Sequence, residues 1–356
     1  MSEKIRVGVI GCGAGEGHAR GYAALPEVEL VALAGLDQEH CQEIGSALNI
    51  PRLYRDYTEL LAQPDIEAVS VCVPNYLHAP VTMAALEAGK HVLVEKPLAT
   101  TVADGEAMVE AAARTGLILM PVFNYRFRKD SQLFKGYIED GNLGHIYFAR
   151  VGWLRQHGIP AGSGSWFVDK NRSGGGCLID LGVHMLDLSL WLMGQPKVLS
   201  VSAATYAGLG PHGRGLWGGK RFAGSLEGFN VEDFVTAFLR LENNATLTLE
   251  VSWAGYTHWG DDFFIHLWGE EGGGEMNIFR YRTKDTLRFY KDIHDVRSET
   301  RLETEGSHES NMTSEFIRAI RAGQAVSPTV EEGLRILRVI EAIYRSAEEG
   351  RQVDLA

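Results

Sequence analysis

The sequence predicts an α/β domain with a parallel, doubly wound sheet over residues 1–123, followed by an α+β domain with a large, mainly antiparallel open sheet over 124–356. Three observations predict it. The first third alternates short apolar, β-branched runs with helical stretches, the pattern of βαβ units. A glycine loop follows the first apolar run at once. Beyond about residue 123 the texture changes to runs of strands with helices before and after them, as in an α+β domain.

In chain order, 5–10 reads as a buried strand, 18–24 as a helix, 28–35 as a second strand ending near Asp37, and 38–48 as a helix. Residues 68–73 read as a strand, 80–88 as a helix, 91–95 as a strand, 102–115 as a helix and 117–122 as a strand. In the second part, helices are expected at 131–140 and 177–193, the latter amphipathic because Leu178, Leu181, Met185, Leu188 and Leu192 recur at steps of three and four. Strands are expected at 146–154, 198–206, 231–241, 245–253, 263–269 and 287–290, with a hairpin turning at 242–244. Helices at 311–322 and 330–348 close the chain.

At 45% hydrophobic and 22% charged residues, the chain has ample apolar material for two cores, which excludes disorder. A formal net charge of −12 without a Lys/Arg run excludes a nucleic-acid face. The four cysteines, Cys12, Cys41, Cys72 and Cys177, form neither a CxxC pair nor a zinc spacing, so buried free thiols in a reducing compartment and no metal are expected. No signal peptide and no uninterrupted stretch of membrane-spanning length is read, so a cytoplasmic protein without a membrane partner is expected.

Gly11, Cys12 and Gly13 follow the first strand directly. Glycines there let the chain turn sharply and bring backbone N–H groups to a pyrophosphate. Asp37 ends the second strand at the distance from which a carboxylate accepts from both ribose hydroxyls, and it would repel a 2′-phosphate. NAD rather than NADP is therefore the expected cofactor. The third fingerprint glycine is replaced by Glu16, flanked by Gly15 and Gly17. Gly17 is the candidate for the missing packing role, and Glu16 must point away from a phosphate.

Glu95-Lys96-Pro97 ends a buried strand, and ligands collect beyond the carboxyl ends of strands in open α/β sheets, so Lys96 is a candidate for the site. Farther on, three glycines, 174–176, precede Asp180, His184 and Asp187. The glycines suit close approach of a ligand. Asp180 and His184 share a helical face, and Asp187 also neighbours His184, so an aspartate can fix the tautomer of the ring and tune it for proton transfer. A polar stripe on a helix is the plainer reading of that spacing alone.

Taken together, VGVIGCG (7–13), VCVPNYLHAP (71–80), HVLVEKPLA (91–99), FNYRF (123–127) and GGGCLIDLGVHMLDL (174–188) resemble the Gfo/Idh/MocA family of oxidoreductases, over nearly the whole chain. The first loop departs from the family pattern. The resemblance implies that Lys96 contacts the reacting hydroxyl, that Asp180 binds a substrate hydroxyl and that His184 is the acid/base. It implies that Asn75 and His78 lie near the nicotinamide ribose, that Glu95 helps hold the cofactor, and that Asn124 and Arg126 lie near the substrate. It also implies a homodimer or homotetramer associated through the second domain's sheet.

Two further groups are candidates for the substrate. One is the glycine-rich loop 206–229 with His212, Arg214, Trp217, Lys220 and Arg221. The other is Arg155, His157, Trp166 and Lys170. The expected activity is hydride transfer between NAD and a secondary hydroxyl of a sugar, glycoside or cyclitol. Glycoside cleavage through transient oxidation is an alternative within the fold, and a non-enzymatic cofactor-sensing regulator is the reading outside enzymology.

Overall fold

Ile5–Ile10 forms β1 because nearly every position is apolar and must be covered on both faces. The computed structural model describes residues 4–160, 165–219, 228–258, 260–302, 312–324 and 326–355. Two compact units emerge, Met1–Val122 with Asn311–Leu337, and Phe123–Ser310 with Arg338–Ala356. Residues 312–324 and 326–337 pack with the first unit.

In the first unit β1 is followed by α1 (Gly15–Ala23), β2 (Val28–Ala34), α2 (Gln38–Leu48), β3 (Arg52–Tyr54), α3 (Tyr57–Leu61) and β4 (Ala68–Val71). Next come α4 (His78–Glu87), β5 (His91–Val94), α5 (Val102–Thr115) and β6 (Leu119–Pro121). The sheet is parallel throughout, in the order β3-β2-β1-β4-β5-β6. The order reverses between β1 and β4, which opens the crevice where such sheets bind ligands. β3 and α3 were not read from the sequence: β3 has three half-buried residues and α3 five in all, too few to show a period. Val330, Leu334 and Leu337 complete the core beside Leu98 and Met108.

The second unit begins with α6 (Lys129–Glu139), β7 (Ile146–Arg155) and α7 (Lys170–Ser173), then a π-helical turn over Leu178–Gly182 that runs into α8 (Val183–Leu192). Strands β8 (Val198–Tyr206), β9 (Phe234–Leu241), β10 (Thr246–Ser252), β11 (Asp261–Gly269), β12 (Gly273–Phe279), β13 (Leu287–Ile293) and β14 (Val296–Leu302) follow. Helix α9 (Met312–Ala322) lies in the first unit, α10 (Val330–Glu349) continues from the first into the second, and β15 (Val353–Asp354) ends the chain. The nine strands run β14-β13-β12-β11-β7-β10-β9-β8-β15, antiparallel except for β7 with β10. β9 and β10 pair across 242–244 as the hairpin expectation required, and their alternating burial marks a sheet with one covered face. β12 and β14 escaped the sequence reading, since β14 is mostly exposed and polar.

The helix over 177–193 is not amphipathic: nine of the ten residues of α8, His184 and Asp187 included, are buried. Lys170–Leu192 even has the length and composition of a membrane span, but 89% of its apolar window lies inside the protein, where it serves as a core helix. Nor do two of the three glycines of the triplet leave the room for a ligand that the sequence suggested. A side chain at Gly175 would begin 1.9 Å from the Tyr344 hydroxyl, and one at Gly176 would begin 1.9 Å from the main-chain oxygen of Glu232. At these two positions protein atoms, not a ligand, take the space. The Glu232 carboxylate accepts from the N–H groups of Gly176 (2.9 Å) and Leu178 (2.9 Å) and from the Tyr344 hydroxyl (3.0 Å). It thereby satisfies donors that the helix start leaves open. Gly176→Ala is expected to cost about 1–3 kcal/mol through overpacking, read as a lowered urea midpoint; an unchanged midpoint would contradict this packing.

Candidate active site

In the first unit the glycine turn leaves β1 at the sheet's reversal point. Gly11 has φ +103°, and a side chain there would begin 2.2 Å from the main-chain oxygen of Cys72. Only glycine fits. A side chain at Gly13 would meet nothing within 4 Å, so this backbone is open to an incoming group. Gly15 packs α1 onto β1, with Val9 at 2.8 Å from its missing Cβ, whereas Gly17 faces open space. The packing role therefore belongs to Gly15, not to Gly17, and the turn is one residue shorter than the usual fingerprint. Glu16 points to Arg20 on the same helix (2.7 Å), which offsets its charge. A strand, a tight turn, open backbone and a helix start in this order suit the pyrophosphate of NAD.

Cys12 and Cys41 form a disulfide between this turn and α2, which corrects the expectation of four free thiols; Cys72 and Cys177 are free and buried. The pairing escaped sequence reading because their separation of 29 residues matches no short motif. Asp37 is exposed and caps α2 by accepting from the His40 N–H at 3.1 Å.

Past β5, Glu95 and Lys96 are half-buried. One Glu95 oxygen accepts from His18 Nε2 (3.0 Å), the other from the Lys96 main-chain N–H (3.2 Å). His18 Nδ1 lies 2.9 Å from Ser70 Oγ, which the Tyr22 hydroxyl also reaches at 2.9 Å. Burial acts against a charged His18, but the Cys72 sulfur and the Glu95 carboxylate overcome it and push the imidazole up to about 10. Burial likewise acts to raise Glu95, yet His18, then Lys96 and His78, hold it down at about 2. His78 is buried, with Nδ1 2.6 Å from the Pro97 oxygen and Nε2 2.9 Å from the Val73 oxygen; burial lowers its pKa. Its ring thus meets main-chain carbonyls. Asn75 is buried in the short turn over Asn75–Leu77.

In the second unit the π turn carries Asp180, and α8 carries His184. Asp180 accepts from the Trp253 indole at 2.8 Å. His184 is 7% exposed and meets the edge of Tyr125, centroids 4.8 Å apart, with Trp153 at 6.1 Å. An oxygen of Asn124, Oδ1, is buried without a hydrogen-bond partner among the described residues, so an acceptor is left over there. π turns inserted in helices are frequent at functional sites.

Several candidates face inward instead. Arg126 is 2% exposed and grips Asp187 through Nε (2.9 Å) and Nη2, with Phe123 and Trp191 beneath its guanidinium. Asp187 is therefore the partner of Arg126, where the spacing had offered it to His184. Arg155 donates to Asp261 (2.9 Å) and to the Tyr281 hydroxyl (3.1 Å), and stacks on Trp153 and Trp217. Trp153 donates to the same carboxylate at 2.6 Å. Trp166 stacks on Phe167. His157, Lys170, His212, Arg214 and Trp217 are exposed, while Lys220 and Arg221 lie outside the described residues. Trp253 is buried and is the partner of Asp180. His18, Ser70 and Tyr22 were missed altogether. The available signals were the i,i+4 spacing of His18 and Tyr22 and a serine within the apolar run AVSV. Among the described residues no cluster of His, Cys, Asp and Glu could hold a metal.

A doubly wound parallel sheet with this turn and crevice defines a dinucleotide-binding domain. Residues 5–123 match the family model of oxidoreductases with an NAD-binding Rossmann fold, and 135–355 match the model of that family's C-terminal α/β domain. The chain belongs to the Gfo/Idh/MocA oxidoreductase family. It is 29% identical to D-glucoside 3-dehydrogenase of Escherichia coli, over 99% of this chain and 98% of that protein. It is 28% identical to levoglucosan dehydrogenase of Pseudarthrobacter phenanthrenivorans, over 99% and 98%. A solved structure of levoglucosan dehydrogenase in complex with NADH superposes with a TM-score of 0.87 at 27% identity, covering 99% of this chain and all of that one.

The buried pair in the first unit has a pH signature. His18 is raised from 6.5 to about 10, so its contribution to stability is complete below pH 6.5 and is lost as pH rises toward 10. Glu95 is depressed from 4.5 to about 2, so its contribution is complete above pH 4.5 and is lost as pH falls toward 2. The stability of wild type over the double variant His18→Gln/Glu95→Gln should peak between pH 4.5 and 6.5 and narrow on both sides. Urea unfolding across that range measures it, and a gap independent of pH would mean the pair is not ionised.

Proposed function

We propose that this dehydrogenase oxidises a secondary hydroxyl on the ring of a sugar, glycoside or cyclitol, reversibly. The observation that carries the reading is the held Asp180 and the aromatic-walled His184 on one helical segment. The relatives support the substrate class: D-glucoside 3-dehydrogenase, levoglucosan dehydrogenase and, at 26% identity, myo-inositol 2-dehydrogenase of Thermotoga maritima are named for ring polyols. They are named as dehydrogenases, which favours net oxidation over redox-assisted glycoside cleavage and over a cofactor-sensing regulator.

The balanced reaction converts CH–OH and NAD⁺ to C=O, NADH and a proton. NAD, when bound, supplies the hydride acceptor. On the protein side His184 takes the hydroxyl proton, and the Lys96 ammonium favours the negative charge developing on that oxygen. Asp180, its carboxylate steadied by Trp253, accepts from a substrate hydroxyl, and Asn124 Oδ1 offers a further acceptor. Gly13, Asp37, Asn75 and Glu95 are assigned to the cofactor side, with Asp37 on the adenosine ribose. The second unit's sheet leaves Tyr147, Leu199, Tyr206 and Trp268 exposed, which supports a homodimer or homotetramer; light scattering at micromolar concentration checks this, and a monomer would refute it.

A screen of sugars, glycosides and inositols, recording NADH absorbance and product release together, tests the activity. His184→Ala should cut turnover by roughly 10²–10⁴ with NAD affinity nearly unchanged. Near-normal turnover in His184→Ala on the true substrate would move the acid/base role elsewhere. Asp37→Ala should weaken NAD more than NADP, measured as Kd by fluorescence titration; equal weakening would remove Asp37 from the ribose.

A further inference from the structure

We propose that His18 is a positioning residue for Lys96, acting through the Glu95 carboxylate, with Ser70 and Tyr22 holding its ring. The inference rests on the reading of Lys96 as the group that meets the reacting hydroxyl.

Lys96 stands in the turn just beyond β5, where little regular structure restrains the chain. Its N–H donates to one oxygen of Glu95, while the other oxygen accepts from His18 Nε2 at 3.0 Å. A carboxylate held at one oxygen can still swing; one held at both, from two different elements, cannot. The imidazole would turn freely in the same way but for its second nitrogen, which lies in hydrogen-bond contact with Ser70 Oγ at 2.9 Å. Ser70, in the middle of the parallel sheet, and Tyr22, on α1, are both fully buried, and their hydroxyls are 2.9 Å apart. A hydrogen-bond chain thus runs Tyr22–Ser70–His18–Glu95–Lys96, through α1, β4 and the end of β5.

The charge logic agrees with the geometry. An imidazolium donates from both nitrogens, and both face acceptors here, one a hydroxyl and one a carboxylate. The titratable groups around the ring are Tyr22 from its own helix, Cys72 from the end of β4 and Glu95 beyond β5; Lys96 and His78 face the carboxylate. A buried ion pair adds little stability by itself, but losing one partner leaves the other charge uncompensated. Because α1 also begins at the glycine turn, the same helix that opens the pyrophosphate site sets the frame of the lysine.

The test follows Lys96 directly. Lysines are dimethylated with ¹³C-formaldehyde, and the Lys96 signal is assigned by its loss in Lys96→Arg. In His18→Gln the Lys96 signal should shift or broaden while the other lysine signals stay. Turnover should fall about 10- to 100-fold, the scale of a reacting group displaced by a fraction of an ångström to an ångström. A new acid limb should enter the kcat–pH profile, because Glu95 without its cation takes up a proton at higher pH. The double variant His18→Gln/Glu95→Gln should lack that limb. A folded His18→Gln protein with wild-type kcat, pH profile and Lys96 signal overturns the proposal. Should His18→Gln fail to fold, Ser70→Ala keeps the ion pair but frees the far side of the ring, and the same readouts apply with smaller shifts; none at all overturns the proposal. If the wild type oxidises no polyol while His18→Gln still moves the Lys96 signal, the functional reading fails and this placement of Lys96 stands.

Discussion

The main-chain oxygen of Cys72 lies where a side chain at Gly11 would begin. That contact sets much of the first unit. It lets β1 and β4 lie side by side and still part at their carboxyl ends, where the sheet reverses its order. It lets the chain turn at once into α1, so that Gly15 can press against Val9 and His18 can face Ser70 and Glu95. Any Cβ at position 11 would push the turn off β4 and carry α1 with it. The open backbone at Gly13 and the buried imidazole at His18 follow from the same turn, the imidazole facing the carboxylate of Glu95.

Buried charge governs the second unit in a comparable way. Arg126 with Asp187 and Arg155 with Asp261 each place a guanidinium beside a carboxylate, with aromatic rings filling the remaining faces. In both pairs the charges meet directly, with charge-assisted hydrogen bonds between guanidinium and carboxylate. Asp187 is engaged by Arg126, and His184 meets the rings of Tyr125 and Trp153. Glu232 plays the same organising part for the glycine triplet: its carboxylate takes the orphan N–H groups at the start of the helical segment that carries Asp180 and His184. The triplet is glycine because Tyr344 and the Glu232 main chain occupy the space a methyl would need at two of its positions.

What sequence alone determined was local and periodic. Apolar β-branched runs alternating with helical stretches specify a parallel sheet, and the glycine turn with Asp37 specifies a dinucleotide fold, since only a few chain paths bury such runs. The motifs around Lys96 and His184 marked the family, which the matched models cover. Tertiary structure alone decided which polar groups face one another. His18, Ser70 and Glu95 are separated by 52 and 77 residues in their hydrogen bonds, and Cys12 pairs with Cys41 across two elements. No periodicity encodes such meetings, because they depend on strand order and on the depth to which each side chain is buried. For the same reason Arg126 and Arg155, which by residue type suit a polar substrate as well as an internal carboxylate, could be assigned only once their partners were in place.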